Sequence, residues 1–168
     1  AWFADPELAG GGAFMDMGTH AVHLLRSLLG PVARASAVIT NVSGIYTDVD
    51  DNGVALLEFA SGVIGTIEAS WVQTGGTGGL EVTGSEATLF RDPETGFVTA
   101  KPREDPVAVA SGEEKPTRVD RLVAAIRGEL TSDELDSDLT CAADSVAIME
   151  ACYRSNESGR WEDVEKLN

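Results

Sequence analysis

The stretch Gly10-Gly11-Gly12-Ala13-Phe14-Met15-Asp16-Met17-Gly18-Thr19-His20 decides how this chain is read. Three consecutive glycines and the periodicity that follows predict a close-packed loop running into an amphipathic helix over 12–29, stopped by Gly30-Pro31. At about 100° per residue, Asp16, His20, His23 and Ser27 fall on a narrow polar stripe, and Phe14, Met17, Ala21, Leu24 and Leu28 on a neighbouring apolar stripe predicted to be buried. Asp16 and His20 are four apart, one turn from each other, with roughly 6 Å between Cβ atoms. A carboxylate beside an imidazole on a half-buried helix is able to hold a charge state and pass a proton. The glycines ahead of it let another backbone or a ligand come close. Other readings of the same residues stay open. Asp16 in the first turn also favours the helix dipole while His20 packs at an interface, and Asp16, His20 and His23 together could ligate a metal. No fourth ligand can be named, so no metal is expected.

Outward from this helix, 32–42 reads as a strand, 43–52 as an acidic connection, and 54–59 and 63–72 as two strands joined at Ala60-Ser61-Gly62. In the second of these, Val63, Ile67, Ala69 and Trp71 alternate with Thr66, Glu68 and Ser70, so one face is buried and Trp71 lies on or near the other. A glycine-rich tip at 75–79 leads to three short strands at 80–83, 87–91 and 97–101. Residues 102–116 read as irregular, 117–128 as a helix with Val119, Leu122, Val123 and Ile126 on one face, and 131–138 as an acidic loop. A longer helix, 139–158, carries Ala142, Val146, Met149 and Tyr153 inward, and 161–167 is a short tail, a candidate last strand. Helix, then hairpin-connected strands, then helices predict an α+β fold: a mostly antiparallel sheet with helices packed on one face.

The chain has 168 residues, enough for one domain with a core of its own. With 28 acidic against 12 basic residues the net charge is −16, which argues against nucleic acid or an anionic membrane as partner. No apolar run is long enough for a membrane-spanning helix. The opening Ala1-Trp2-Phe3-Ala4-Asp5-Pro6 lacks the regions of a signal peptide and an initiator Met, and reads as a start within a longer protein. Cys141 and Cys152, about 16 Å apart along one helix, read as core residues of a reduced, cytoplasmic protein. Asp48-Val49-Asp50-Asp51-Asn52-Gly53 mimics the start of a calcium loop, but Phe59 stands where the bidentate Glu belongs, so it is read as a solvated connection. The sequon Asn41-Val42-Ser43 sits in a predicted strand and is discounted.

The pattern Gly-Gly-Gly-x-x-x-Asp-x-Gly-x-His, followed by an apolar run to Leu-Gly, resembles the second domain of the Gfo/Idh/MocA family of NAD(P)-dependent oxidoreductases. The hairpin Phe59–Thr66 ending at Trp71, the segment Leu80–Leu89, with Ala87 where a glycine is usual, and the closing helix with Tyr153-Arg154-Ser155 extend the likeness over nearly the whole chain. The resemblance implies that 1–168 is a single substrate-binding and oligomerisation domain whose Rossmann partner domain is absent from the chain. NAD or NADP would serve the full-length enzyme, and none is expected to bind this portion, which lacks the dinucleotide fingerprint. By the same resemblance His20 is the proton acceptor or donor at a substrate hydroxyl and Asp16 orients the substrate, with Gly11, Gly12, Asp16 and His20 on the substrate side of the cleft. The implied substrate is a sugar, cyclitol or related polyol, and the implied assembly a homodimer or tetramer through the sheet. Glu114-Lys115-Pro116 spells the family's lysine motif far downstream of its usual place and is taken as coincidence. A domain of another kind, a catalytically idle dimerisation or interaction module, is the alternative.

Overall fold

The computed structural model describes residues 2–75, 78–110, 112 and 115–165. Part of the glycine-rich tip, Glu114 of the Glu-Lys-Pro tripeptide and the end of the C-terminal tail lie outside the described residues. The fold is α+β, as expected, and every strand pairing is antiparallel. The strands divide between two four-stranded sheets. They belong to two compact units: the segment 73–123, and the residues on either side of it.

The larger unit opens with a 3₁₀ turn at Trp2–Ala4 and a short helix α1 (Pro6–Ala9), where a loop was predicted. Asp5 caps α1 through its side chain, Pro6 takes the first helical position, and Gly10 ends it in the left-handed region at φ 76°. A π-helical turn (Phe14–Gly18) then leads into α2 (Thr19–Leu29). The first sheet has the order β3-β2-β1-β8, with β1 (Val32–Thr40), β2 (Asn52–Phe59), β3 (Ile64–Ser70) and β8 (Glu162–Asp163). Register places Ala35 opposite Leu57, Ala37 opposite Ala55 and Ile39 opposite Gly53, with Ala69 and Ile67 completing the rows on β3. These residues form the inner face, and the small ones among them, the four alanines and Gly53, let helix and sheet come close together. The Phe14 ring lies on the sheet at Gly53, where an added Cβ would stand 2.5 Å from its Cδ2. Burying such a ring contributes about 1.5–3 kcal/mol.

Helix α4 (Ser132–Ser158) packs on β1 and against α2. It begins two turns earlier than the sequence reading had it. The predicted acidic loop is the start of this helix, closed by a capping box in which Thr131 and Glu134 satisfy each other's backbone N–H. Its inward stripe is Cys141, Ser145, Ile148, Cys152 and Ser155 with Met149 beside it, while Ala142 and Val146 point outward. Two buried serines displaced the predicted face. Ser145 donates to the Cys141 carbonyl, and Ser155 accepts the Ala37 N–H at 3.0 Å. Asn156 accepts the Ile39 N–H at 2.8 Å, so α4 covers the part of the β1 edge that β8 is too short to pair. On α2 the buried residues are Val22 and Leu25, following Phe14 and Gly18, whereas Met17, Leu24 and Leu28 are exposed. The π-helical turn breaks the constant angular step on which the predicted stripe rested.

The second sheet runs β4-β5-β6-β7: β4 (Val82–Thr83), β5 (Thr88–Asp92), β6 (Gly96–Ala100) and β7 (Val107–Ala108), the last inside the stretch read as irregular. Asp92 closes the β5–β6 turn by accepting from the Thr95 N–H and hydroxyl and the Glu94 N–H, which hold its carboxyl below the ordinary value. Helix α3 (Arg118–Ile126) has the predicted apolar face, and it is uncovered. No helix among the described residues is long and apolar enough to cross a membrane.

Candidate functional site

The glycine loop is closed on its inner side by protein. Gly11, Gly12, Ala13 and Phe14 are all buried. A Cβ at Gly11 would overlap the Tyr153 hydroxyl, and one at Gly12 the Asp50 carbonyl, so the close approach that these glycines permit is made by Tyr153 and by the Asp50 backbone. The Asp50 carboxylate accepts from the Gly12 N–H at 2.8 Å and the Phe14 N–H at 2.7 Å, and its carbonyl accepts from the Ala13 N–H at 3.0 Å. Tyr153 donates its phenol O–H to Asp50 Oδ1 at 2.7 Å. Burial first, then the Asp50 carboxylate, push the phenol well above its ordinary value, so it stays a donor. The free N–H groups at the start of this helical segment are thus satisfied by a carboxylate 36–38 residues further along the chain.

With that cap in place, Asp16 has no capping role. Its carboxylate Oδ2 accepts from the Trp71 indole N–H at 3.0 Å. Trp71 stands just beyond β3, half-buried, with Tyr46 at 5.1 Å and Phe3 at 5.9 Å between ring centroids, and Trp2 packed on Phe3 at 4.4 Å. Its side chain is therefore committed to the helical segment and this aromatic group, which corrects its expected place on the outer sheet face. His20 is exposed, and no hydrogen bond to its ring is found among the described residues. The segment thus presents an exposed imidazole four residues after a carboxylate that accepts from an indole, the carboxylate in the π-helical turn and the imidazole at the start of α2.

His23 departs from this pair. Its Nδ1 lies 3.4 Å from Ser145 Oγ and 3.7 Å from Cys141 Sγ, at the contact between α2 and α4. This takes away the geometry of a three-ligand face with Asp16 and His20. Among the described residues no cluster of three or more metal-ligating side chains occurs. Nor do the carboxylates of 48–51 converge on a cation. Asp50 faces the glycine loop, and Asp51, buried, accepts from the Val42 N–H at 2.8 Å, the Ser43 N–H at 2.9 Å and the Ser43 hydroxyl. Burial works to raise the Asp51 carboxyl, but these hydrogen bonds outweigh it and hold it below its ordinary value. Cys141 and Cys152 are free and buried, and burial pushes the Cys152 thiol up to about 12.

Sequence reasoning picked out Asp16, His20 and the glycines, but not Asp50 and Tyr153 as their support. Both residues were noticed for other reasons, Asp50 in a calcium-like run and Tyr153 on an inward helix face. The residues described here do not fit a dinucleotide. The glycine loop that resembles a phosphate cradle has its Gly12 and Phe14 donors taken by the chain's own carboxylate, which would also repel a pyrophosphate. Among the described residues the strand pairs are antiparallel and offer no parallel strand–loop–helix unit.

An antiparallel sheet backed by helices, entered through a glycine-lined helix start, is the architecture of the α+β C-terminal domain of one oxidoreductase family. The chain belongs to the GFO/IDH/MocA family: the pattern of that family's C-terminal domain matches residues 1–90. Solved structures agree on the fold. An NAD-binding oxidoreductase from Klebsiella pneumoniae superposes with a TM-score of 0.77 at 23% identity, over 99% of this chain and 54% of its own. A levoglucosan dehydrogenase in complex with NADH and L-sorbose gives 0.74 at 19% identity, over 99% and 54%. An oxidoreductase domain protein from Kribbella flavida gives 0.68 at 22%, over 98% and 54%. The chain thus spans about half the length of the structures it matches.

Proposed function

We propose that this chain is the substrate-binding and oligomerisation half of an NAD(P)-dependent oxidoreductase that acts on a hydroxyl of a sugar, cyclitol or related polyol. The observation that carries the reading is the exposed His20, whose ring has no hydrogen bond among the described residues, four residues after an Asp16 held by Trp71. Oxidation of a secondary alcohol removes the O–H proton together with a hydride from carbon, and a nicotinamide supplies the hydride acceptor. The acceptor is held by a nucleotide-binding domain elsewhere in the full-length protein, because this chain's own glycine loop is filled by Asp50. His20 takes the hydroxyl proton, or returns it in the reverse direction, and the Asp16 oxygen not engaged by Trp71 orients the substrate hydroxyls. Gly11 and Gly12 serve this site by keeping the helix start against Asp50 and Tyr153. Sugar-related substrates are supported by the levoglucosan dehydrogenases among the structural relatives, one in complex with NADH and levoglucosan itself. A reducing, cytoplasmic setting is supported by the two free, buried thiols.

In the full-length protein, NAD⁺ and NADP⁺ reduction with levoglucosan, D-glucose and myo-inositol as probes tests the assignment. His20→Ala is expected to lower kcat about 10²–10⁴-fold, with cofactor affinity little changed, because a base acts as the O–H bond breaks. Turnover within a few-fold of the parent protein would overturn the catalytic role and favour a domain kept for association alone.

A further inference from the structure

Asp50 and Tyr153 touch nothing that reacts, yet the stretch that carries Asp16 and His20 depends on them. Asp50 lies in the connection before β2 and Tyr153 near the end of α4. The carboxylate joins the Gly12 N–H, the Phe14 N–H and the Tyr153 hydroxyl in one set of hydrogen bonds of 2.7–2.8 Å. The contact is tight on every side. Gly11 has no room for a Cβ beside the Tyr153 hydroxyl, nor has Gly12 beside the Asp50 backbone. The Phe14 ring meets the Tyr153 ring edge-on at 6.2 Å and fills the space over Gly53. At Phe14 the backbone begins its π-helical turn, the segment that contains Asp16 and delivers the chain to His20. An extra residue in a turn shifts every later side chain around the helix axis. The angular position of His20 therefore depends on where the turn starts, and Asp50 fixes that start from outside the helix.

We infer that Asp50 and Tyr153 are positioning residues for the Asp16–His20 pair: they lock the Gly11–Phe14 loop and with it the place at which His20 meets the substrate hydroxyl. This inference rests on the reading of His20 as the proton acceptor. A misplacement of the order of 1 Å in a reacting group costs up to about a hundredfold in rate, so a loosened loop would be read in turnover before it was read in binding.

The test compares three variants of the full-length protein. Tyr153→Phe removes only the hydroxyl, and Asp50→Asn keeps the shape but removes the charge. Ser155→Ala, on the same helix, removes a buried hydroxyl that accepts from Ala37 and donates to the Arg160 carbonyl, away from the loop. Three quantities are read: the melting temperature, the NMR resonance of the His20 ring, and kcat with its solvent isotope effect for the folded protein, with levoglucosan, D-glucose and myo-inositol as probes. All three variants are expected to melt lower. Tyr153→Phe and Asp50→Asn should in addition shift or broaden the His20 resonance, lower kcat roughly ten- to a hundredfold and raise the solvent isotope effect, while Ser155→Ala leaves these unchanged. If Tyr153→Phe and Asp50→Asn melt lower but keep the His20 resonance and kcat of the parent protein, the network is structural and the inference is wrong. Should Asp50→Asn fail to fold, Tyr153→Phe decides alone. If His20→Ala itself turns over normally, the proton-acceptor reading falls, and the His20 resonance still reports whether the network positions the ring.

Discussion

Trp71 donates its indole N–H to Asp16 Oδ2 at 3.0 Å, which leaves the other carboxylate oxygen for a ligand. A hydrogen bond to a charged group contributes about 1.5–3 kcal/mol. Trp71→Phe keeps a ring between Phe3 and Tyr46 but frees the carboxylate to rotate. For the proposed polyol reaction it should raise KM about tenfold with a smaller fall in kcat, measured by initial rates over a range of substrate concentrations. An unchanged KM would mean that Asp16 does not orient the substrate. Asp51 makes a different kind of prediction. Its carboxyl is held below the ordinary value of 3.8 by Ser43 and Val42, so the folded state releases the proton more readily than the unfolded one. The unfolded chain binds more protons in the interval between the two values, and stability rises with pH there. The contribution is therefore complete above the unfolded value and is lost as pH falls through the lower, folded one. Asp51→Asn should lose less stability than the parent as pH falls from about 5 through and below the unfolded value, read from urea midpoints at each pH. Equal losses would show that other carboxylates govern the acid limb.

Helix α4 shows what can and cannot be seen in a sequence at the level of elements. Thr131 and Glu134 spell a capping box, yet the acidic composition of 131–138 points to a loop in the sequence, where the structure has the start of α4. Thr131→Ala should cost about 1 kcal/mol and loosen the first turns of α4, seen as faster amide exchange near 134–137. If exchange there is unchanged, the packing of α4, and not its cap, holds its start. The inward face of α4 was displaced in the sequence reading because Ser145 and Ser155 are buried with partners that no periodicity announces. The β2–β3 hairpin, by contrast, was legible, since Gly62 with φ 86° marks its turn and Ile67 and Ala69 alternate cleanly into the core. The proposed site divides in the same way. Asp16 and His20 stand four apart and their roles come from the family resemblance of the motif they sit in, whereas Asp50 and Tyr153 reach the glycine loop from 38 and 142 residues downstream of Gly12 and Gly11 respectively. Such contacts follow only from the strand register and the docking of α4.

Within the larger unit, the outer face of the first sheet carries Val38 (66% exposed), Val54 (44%), Leu56 (41%) and Ile64 (55%). Val38 and Val54 are direct cross-strand partners, and Leu56 lies two residues further along the same face of β2. Isolated exposed apolar side chains are ordinary, but a cluster on one sheet face marks an interface. The oligomer proposed above uses this face, and Leu56→Glu should dissociate it. Light scattering of the full-length protein at tens of micromolar, roughly where interfaces of standard size hold, should show the parent associated and the variant monomeric. A monomeric parent, or a variant that stays associated, would place the interface elsewhere or remove it. The distant cap on the glycine loop also bears on the order in which the molecule assembles. A helix capped by its own neighbours is able to form early and alone. Here the carboxylate that completes the helix start comes from the far side of β1, and the hydroxyl that steadies it comes from close to the end of α4. Those contacts require loops of that length to close, so the stretch that carries Asp16 and His20 has its native start complete only when the sheet and α4 have come together.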